Sequence, residues 1–247
     1  MYPYVAEGRR ESVQRMNCVA IEQTNAECVC HVGDRSSAYG GLSAMLLARP
    51  ELLRDAATRV VLATSGCRSF DYLDEEQIRE AGIHAIEALA ERDGTESYAE
   101  ERAWLFGEGE FDPFLNGMSP AESTYLTSDC EGLRETLEAT YSMAGYRLPT
   151  CEHFEPCHGH MGVELDFMRH CLEQVAWGED GYAALARSFF DDHLRDWGVL
   201  FAVVLRDKAQ HPALLYFSYA LDKFIACESV VFRHSMPGLC TQRSLTE

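Results

Sequence analysis

Apolar residues recur at intervals of three and four along most of this chain, and that spacing constrains its fold more than any other feature. The clearest run forms one continuous stripe at Leu185, Phe189, Phe190, His193, Leu194, Trp197, Leu200, Phe201, Val204 and Leu205. Charged residues fill most of the positions on the opposite side. Because an α-helix turns once every 3.6 residues, this pattern predicts a long amphipathic helix with one face in a core.

Six other segments repeat the same spacing, and alternation with a period of two is scarce. They are residues 37–49, 51–63, 75–92, 130–145, 162–177 and 212–231, the last beginning near Pro212. Paired valines occur, but they fall within the helical period rather than in strand-like runs. The sequence therefore predicts an all-α protein, folded as a single compact helical bundle.

Two stretches interrupt this periodicity and are predicted to be loops. Gly107–Ser119 and Tyr146–Gly162 are both rich in Gly and Pro, which break helices for backbone reasons. The first also carries Phe111 and Phe114. Since exposed aromatic residues in a loop commonly pack onto something, these two residues are candidates for contact with a partner.

The charge balance excludes several classes of partner. The 247 residues include 40 acidic and 21 basic side chains, for a formal charge of −19. Nucleic acids and anionic membranes are bound through Lys and Arg, so neither is expected here, and a basic partner is favoured. The longest apolar run, Trp197–Leu205, has nine residues and is far short of a membrane span. With no apolar signal-peptide region at its start, the chain is expected in the cytoplasm.

The second loop concentrates sulfur and imidazole groups. Five of them lie within ten residues, at Cys151, His153, Cys157, His158 and His160. Zinc or iron could be bound by such side chains, with help from Cys28 and Cys30 elsewhere in the chain. Alternatively, the polar side chains of the loop cap helix ends and satisfy buried carbonyl groups. Both interpretations remain open from the residues alone.

Signatures of catalysis are missing from the sequence. It contains no Gly-rich phosphate loop, no G-x-S-x-G and no H-E-x-x-H. A single His on an apolar face, such as His193, is ordinarily a core residue. The residues therefore predict a helical binding protein rather than an enzyme, with no catalytic residues and no cofactor.

Three segments resemble the TorD/DmsD/NarJ group of redox-enzyme maturation chaperones. Ser119-Pro-Ala-Glu122-Ser123-Thr-Tyr125-Leu126, which follows Leu105-Phe106-Gly107, is similar to the group's P-x-E-S-x-Y-L stretch after a Leu-Phe-Gly turn. Glu155-Pro156-Cys-His158-Gly-His160-Met-Gly162-Val-Glu164-Leu165-Asp-Phe167-Met168 is similar to E-P-x-D-H-(I/L)-G-x-E-L-x-F-M. Phe190-Asp-Asp-His193-Leu194-Arg-Asp-Trp197, followed by Phe201 and His211-Pro212, is similar to F-x-x-H-L-x-x-W with a downstream Pro that starts a helix.

One departure from this pattern concerns the acidic residue before the histidine. The chain carries one extra residue between Pro156 and Gly162. When His160 is aligned with the group's histidine, Gly159 takes the place of the Asp. When the alignment starts from Pro156, His158 stands there instead. We adopt the first alignment, because it leaves the sequence from His160 onward unbroken.

The resemblance implies a cytoplasmic chaperone without enzymatic activity. Its expected partners are the catalytic subunit of a molybdopterin-dependent reductase and that subunit's twin-arginine signal peptide, held until export. The implied contact residues are Leu105, Phe106, Glu122, Tyr125, Glu155, Pro156, His158, His160, Glu164, His193 and Trp197. The carboxylates among them are predicted to pair with arginines, and the rings to form an apolar groove. Trp197 and Phe201 are also expected to serve as core residues.

The resemblance also predicts the domain organisation. A single domain covers residues 1–247, with one helical half at 1–146, a hinge loop at 147–162 and a second half at 163–235. Exchange of halves through the hinge would give a domain-swapped dimer, so monomer and swapped dimer are both expected.

A different class of function stays open beside the chaperone. The chain could be a small helical metal-binding protein or sensor that uses Cys151, Cys157, His158 and His160 as ligands.

Overall fold

Helices make up nearly all of the computed structural model, which describes residues 32–64, 75–107, 118–126, 129–151 and 156–234. They are α1 (Val32–Leu47), α2 (Leu53–Thr64), α3 (Glu75–Ala90), α4 (Gly94–Phe106), α5 (Cys130–Met143), α6 (Met161–Ala176), α7 (Tyr182–Phe189), α8 (Arg195–Lys208) and α9 (Pro212–His234). Short 3₁₀ turns occur at Pro50–Leu52 and Glu122–Thr124. Over these ranges the one β-type pairing is an isolated bridge between Ala121 and His160. The predicted all-α class is confirmed.

Helix α4 is an element that the sequence analysis did not predict. Its buried face carries Tyr98, Arg102, Leu105 and Phe106. Because a guanidinium occupies one of the core-facing positions, the apolar period is broken in the middle of the helix. Arg102 is tolerated there because its Nη1 donates to the carbonyl oxygen of Ala48 at 3.4 Å.

The long stripe predicted around residues 185–205 is not one regular helix. A π-helical segment, Phe190–Leu194, separates α7 from α8, and the backbone N–H of Arg195 donates to the carbonyl oxygen of Phe190. The wider turn inserts one extra residue into the helical repeat, and such insertions are frequent at functional sites. It places Phe190, Leu194, Trp197 and Phe201 all in the interior.

The core is a single hydrophobic cluster that draws on helices from both predicted halves. Helix α9 is buried along most of its length, and α1 makes its most extensive contact with α6. That contact is close because α6 has Gly162 at its start: a Cβ there would lie 2.6 Å from the Cγ of Leu47. The hydroxyl of Ser43 donates to the carbonyl oxygen of Gly162 at 2.8 Å. The division into halves and the hinge stay predictions.

A buried ion pair joins α1 to α9. Arg35 donates from Nε and Nη2 to the two carboxylate oxygens of Glu228, each at 2.7 Å. The hydroxyl of Tyr39 adds a third bond to Glu228, at 2.9 Å. A two-point guanidinium–carboxylate pair of this kind combines strength with fixed geometry, so it sets the position of α1 on α9.

None of the helices in the described ranges has the length and apolar character needed to cross a membrane.

Candidate functional site

The three segments that resemble the chaperone group meet in the interior of the protein. Glu122 comes from the first, Glu164 from the second, and His193 and Trp197 from the third. His193 lies at hydrogen-bond distance from Glu122, Trp197 donates to Glu164, and both carboxyl groups lie beside Gly159, so we call these four residues the carboxyl cluster. Segments that lie far apart in the sequence therefore build one polar centre within the core.

Two backbone hydrogen bonds hold the first segment against the second. The N–H of Glu122 donates to the carbonyl oxygen of Gly159 at 2.8 Å, and the N–H of Met161 donates to that of Pro120 at 2.7 Å. These bonds flank the bridge between Ala121 and His160. The bridge fixes the 3₁₀ turn that carries Glu122 beside the first turn of α6.

His160 begins α6 by capping it. Its Nδ1 accepts a hydrogen bond from the N–H of Gly162 at 3.0 Å, which satisfies one of the N–H groups that a helix start leaves without a partner. Burial, reinforced by the charge of Arg102, lowers the pKa of His160 to about 3. The ring is therefore neutral at physiological pH. The capping interpretation of this loop is correct for His160.

Glu164 lies one turn further along α6 and is fully buried, with 0% of its surface exposed. The indole Nε1 of Trp197 donates to its Oε2 at 3.0 Å. Burial raises the pKa of Glu164 well above its usual range, and the neighbouring charge and hydrogen bond of Glu122 raise it further. The bond from Trp197 acts in the opposite direction. Burial and the second carboxyl group therefore both favour the protonated form of Glu164.

Glu122 is the second carboxyl group of the cluster and is 3% exposed. The Nδ1 of His193 lies 3.2 Å from each of its two oxygens. His193 belongs to the π-helical segment, one turn before Trp197, so the two side chains reach the two carboxyl groups from the same stretch of helix. His193 is thus a hydrogen-bonded residue at the edge of the core.

Gly159 lies next to both carboxyl groups. A Cβ at this position would be 3.5 Å from the Cβ of Glu122, 3.7 Å from Oε1 of Glu164 and 3.3 Å from Cδ1 of Leu137. This is the residue that replaces the chaperone group's Asp in the adopted alignment. A side chain here would point toward the acid pair.

The predicted aromatic groove is mostly part of the core. Leu105, Phe106 and Trp197 are buried, and the ring of Phe106 lies 5.8 Å from that of Phe201. Tyr125 is half-buried and covers the inner rings, at 5.7 Å from Trp197 and 6.3 Å from Phe201. Leu105, Phe106 and Trp197 are therefore core residues in this conformation, and their contact with a partner stays a prediction. Tyr125 is the member of the set that reaches the surface.

Exposed apolar residues occur on the segment that carries Tyr125 and on the helix that carries Trp197. Leu126 is the next residue and is exposed, and α8 turns Leu200 and Val203 outward, 48% and 52% exposed. Their spacing of three places them on one stripe of the helix. We call Tyr125, Leu126, Leu200 and Val203 the outer face. Sequence reasoning assigned Leu200 to the core-facing stripe, because the phase change at the π-helical segment could not be foreseen.

The remaining predicted contact residues have mixed positions. Pro156 is buried. His158 is half-buried and stacks on Tyr141 with 6.1 Å between ring centres, while the hydroxyl of Tyr141 donates to the carbonyl oxygen of His158 at 2.8 Å. Glu155, like the loop residues Phe111 and Phe114, falls outside the described residues.

The part of the chain that the structure describes contains no group of three or more His, Cys, Asp or Glu side chains able to hold a metal ion. Cys151 donates its thiol to the carbonyl oxygen of Leu47 at 3.6 Å. His160 already uses Nδ1 as a helix cap. Among these residues, the metal-binding alternative has no ligand set.

The helix-starting Pro212 of the third segment belongs to another part of the surface. It lines a cleft of about 600 Å³ between α3, α4 and the start of α9, together with Ala88, Glu91, Arg92, Asp93, Gly94, Ser97, Glu101, Gln210 and His211. Glu101 accepts hydrogen bonds from the backbone N–H groups of residues 210 and 211, and His211 caps α9. These contacts explain why a His-Pro pair begins this helix.

Comparison with known families agrees with this geometry. A family model described as nitrate reductase delta subunit matches residues 74–203, more than half of the chain. The match contains the whole carboxyl cluster. Neither the curated proteins nor the solved structures yielded a match. The chain therefore belongs to the nitrate reductase delta subunit family, which confirms its resemblance to the TorD/DmsD/NarJ chaperones.

Proposed function

We propose that this protein is a cytoplasmic maturation chaperone for the catalytic subunit of a molybdopterin-dependent oxidoreductase. It binds that subunit while the cofactor is inserted, and it binds the subunit's twin-arginine signal peptide before export. Membership of the nitrate reductase delta subunit family supports the general role. The observation that carries the proposal is the meeting of the three segments at the carboxyl cluster, with exposed apolar residues on the elements that supply two of them.

The outer face is the surface on which we place the signal peptide. Tyr125 and Leu126 come from the first segment, while Leu200 and Val203 come from the helix that carries Trp197 of the third. Burying exposed apolar side chains against the apolar body of a signal peptide is favourable, at roughly 25 cal/mol per Å². A helical peptide laid on a helix face uses anchors at this kind of spacing.

Charge near the outer face suits the basic head of such a peptide. Asp196 and Asp207 are exposed on α8, on the same side as Leu200 and Val203. The formal charge of −19 gives the whole molecule a negative electrostatic potential. Electrostatic complementarity of this kind mainly raises the association rate and weakens with added salt.

The carboxyl cluster supports this surface from below. Glu122 and Trp197 anchor the two segments that carry the outer face, and both are occupied by contacts inside the protein. In this conformation neither Glu122 nor Glu164 is open to an arginine of a peptide. We therefore assign them a positioning role, and leave direct contact to Tyr125, His158 and Glu155.

Calorimetry with a twin-arginine signal peptide, taken from a molybdoenzyme encoded near this gene, tests the proposal. The variant Leu200→Ser/Val203→Ser is expected to bind at least tenfold more weakly than the unaltered protein, because two central apolar anchors are lost. Leu62→Ser, at an exposed leucine on α2, is the matched control and should bind normally.

Two results would count against the proposal. Equal binding by the double variant and the control would remove the outer face as the peptide site. If the unaltered protein bound neither the peptide nor the cofactor-free subunit, the chaperone function itself would be wrong.

A further inference from the structure

We infer that Glu122 and Glu164 share a single proton in the folded protein, and that any opening of the carboxyl cluster releases it. The inference concerns the cluster as a chemical device and does not depend on the identity of the client. Loss of this proton would weaken the packing of the three family segments against each other, so that packing would depend on pH.

The geometry of the pair requires a proton. Glu164 and Glu122 are 0% and 3% exposed and lie on either side of Gly159, where a Cβ would be 3.7 Å from Oε1 of Glu164 and 3.5 Å from the Cβ of Glu122. Oε1 of Glu164 is buried and accepts no hydrogen bond from the described residues, so an ionised Glu164 would leave a charged oxygen without a donor. Two like charges side by side in a region of low dielectric constant would also repel strongly.

The donors around the pair do not replace that proton. Trp197 supplies Glu164 with one neutral N–H, which satisfies an oxygen but does not cancel a charge. The Nδ1 of His193 lies 3.2 Å from the oxygens of the other carboxyl group, Glu122, and even a protonated imidazole there would offset only one of the two negative charges. The pair therefore has a donor on each flank and a proton between its members.

Three other titratable groups near the pair favour their neutral forms. Burial raises the pKa of Tyr141 on α5 and of the Cys157 thiol, and the charge of Glu164 raises both further. Burial lowers the pKa of His160, and Arg102 on α4 lowers it further. The acid pair and the imidazole of His193 on Glu122 are then the remaining titratable groups of the cluster.

The sign of the pH dependence follows from the raised pKa of Glu164. In the unfolded chain a Glu loses its proton near pH 4.3. Above that pH the folded protein keeps a proton that the unfolded chain has lost, so this contribution to stability is full at low pH and falls as the pH rises toward the folded-state value. A difference of one proton raises the unfolding constant up to tenfold per pH unit.

Infrared spectroscopy on the full chain tests the inference directly. The carbonyl stretch of a protonated carboxyl group should be present at pH 7 in the unaltered protein and lost in Glu164→Gln. Glu87→Gln, at an exposed glutamate on α3, should retain it. Absence of this band at pH 7 in the unaltered protein would overturn the inference, and that measurement needs no variant.

Urea unfolding between pH 5 and pH 8 gives the second test. Gln can donate to Glu122 as the protonated Glu does, but it does not titrate. The unfolding constant of Glu87→Gln should therefore rise by up to tenfold per pH unit. The unfolding constant of Glu164→Gln should lack this rise. Equal slopes for the two variants would contradict the shared proton. Should Glu164→Gln fail to fold, Glu122→Gln takes its place, since it removes the other member of the pair.

Discussion

Two glutamates are almost completely buried in this protein, and their carboxyl groups have different kinds of partner. Glu228 is 1% exposed and receives both arms of Arg35 and the hydroxyl of Tyr39. Glu164 is 0% exposed and meets an indole N–H and a second carboxyl group. A cation offsets the charge of the first, and we infer that a proton offsets that of the second. A buried charge is costly in both places, so each carboxyl group needs a partner that cancels it.

The two sites also differ in where they lie relative to the family. Arg35 and Glu228 fall outside residues 74–203, the range that matches the family model, whereas the carboxyl cluster falls entirely within it. The ion pair fastens the first described helix to the last. The cluster instead joins the segments that mark the family, which is where we expect function rather than stability alone.

The largest effect is expected from breaking the ion pair. Arg35→Met would leave Glu228 buried without a counter-charge, at a cost of about 3–5 kcal/mol in the free energy of unfolding. Urea denaturation at pH 7 measures it. The double variant Arg35→Met/Glu228→Leu should recover much of the loss, because it removes the stranded charge. A single variant within about 1 kcal/mol of the unaltered protein would show that the pair is not a buried charge site.

A smaller loss is expected from adding a third carboxyl group to the cluster. Gly159→Asp would place an acid beside Glu122 and Glu164 and would press on Leu137, so we expect a loss of about 2–4 kcal/mol. Gly159→Ala, which adds only the methyl group, should lose about 1 kcal/mol. Thermal unfolding compares them. If the Asp variant matched the Ala variant, the cluster would have room for the acid found in the chaperone group.

A still smaller loss of stability is expected from removing the hydrogen bond between the indole of Trp197 and Glu164. Trp197→Phe keeps an aromatic ring in the core but removes the N–H donor, and we expect a loss of about 1–3 kcal/mol. Trp177→Phe, at an exposed tryptophan just past α6, is the control and should be close to neutral. Equal stability of the two variants would mean that Trp197 acts through its ring alone.

No measurable change is expected where a carboxylate is fully exposed. Arg134 pairs with Glu131 and Glu138 on the surface of α5, where solvent screens the interaction. Arg134→Ala should leave the urea midpoint unchanged within error. A clear loss of stability would show that burial does not distinguish the Arg35–Glu228 pair and the carboxyl cluster from ion pairs on the surface.

Much of the helical framework could be predicted because apolar periodicity survives in most elements. The starts of α6 and α9 follow from their capping residues and Pro212, and the long stripe locates α7 and α8. Helix α4 could not be found, since Arg102 interrupts its apolar face. The π-helical segment was equally hidden, because a change of one residue per turn leaves no mark in composition.

The sequence predicted which residues belong to the site but not how their side chains are arranged. The resemblance selected Glu122, Glu164, His193 and Trp197, and the structure brings these four together. The resemblance could not indicate that these side chains contact each other inside the protein. The spacing of residues along a chain does not show which side chains become buried. Arg102, which influences His160, belongs to the helix that was missed.

The bridge between Ala121 and His160 has a consequence for any exchange of halves between two copies. It connects residues on opposite sides of most of the predicted hinge loop, so each swapped unit would pair Glu122 of one chain with Glu164 of the other. The acid pair would then be intermolecular in such a dimer. Because the same pair re-forms within each separated chain, its proton would leave the balance between monomer and dimer unchanged and would slow the opening through which they interchange.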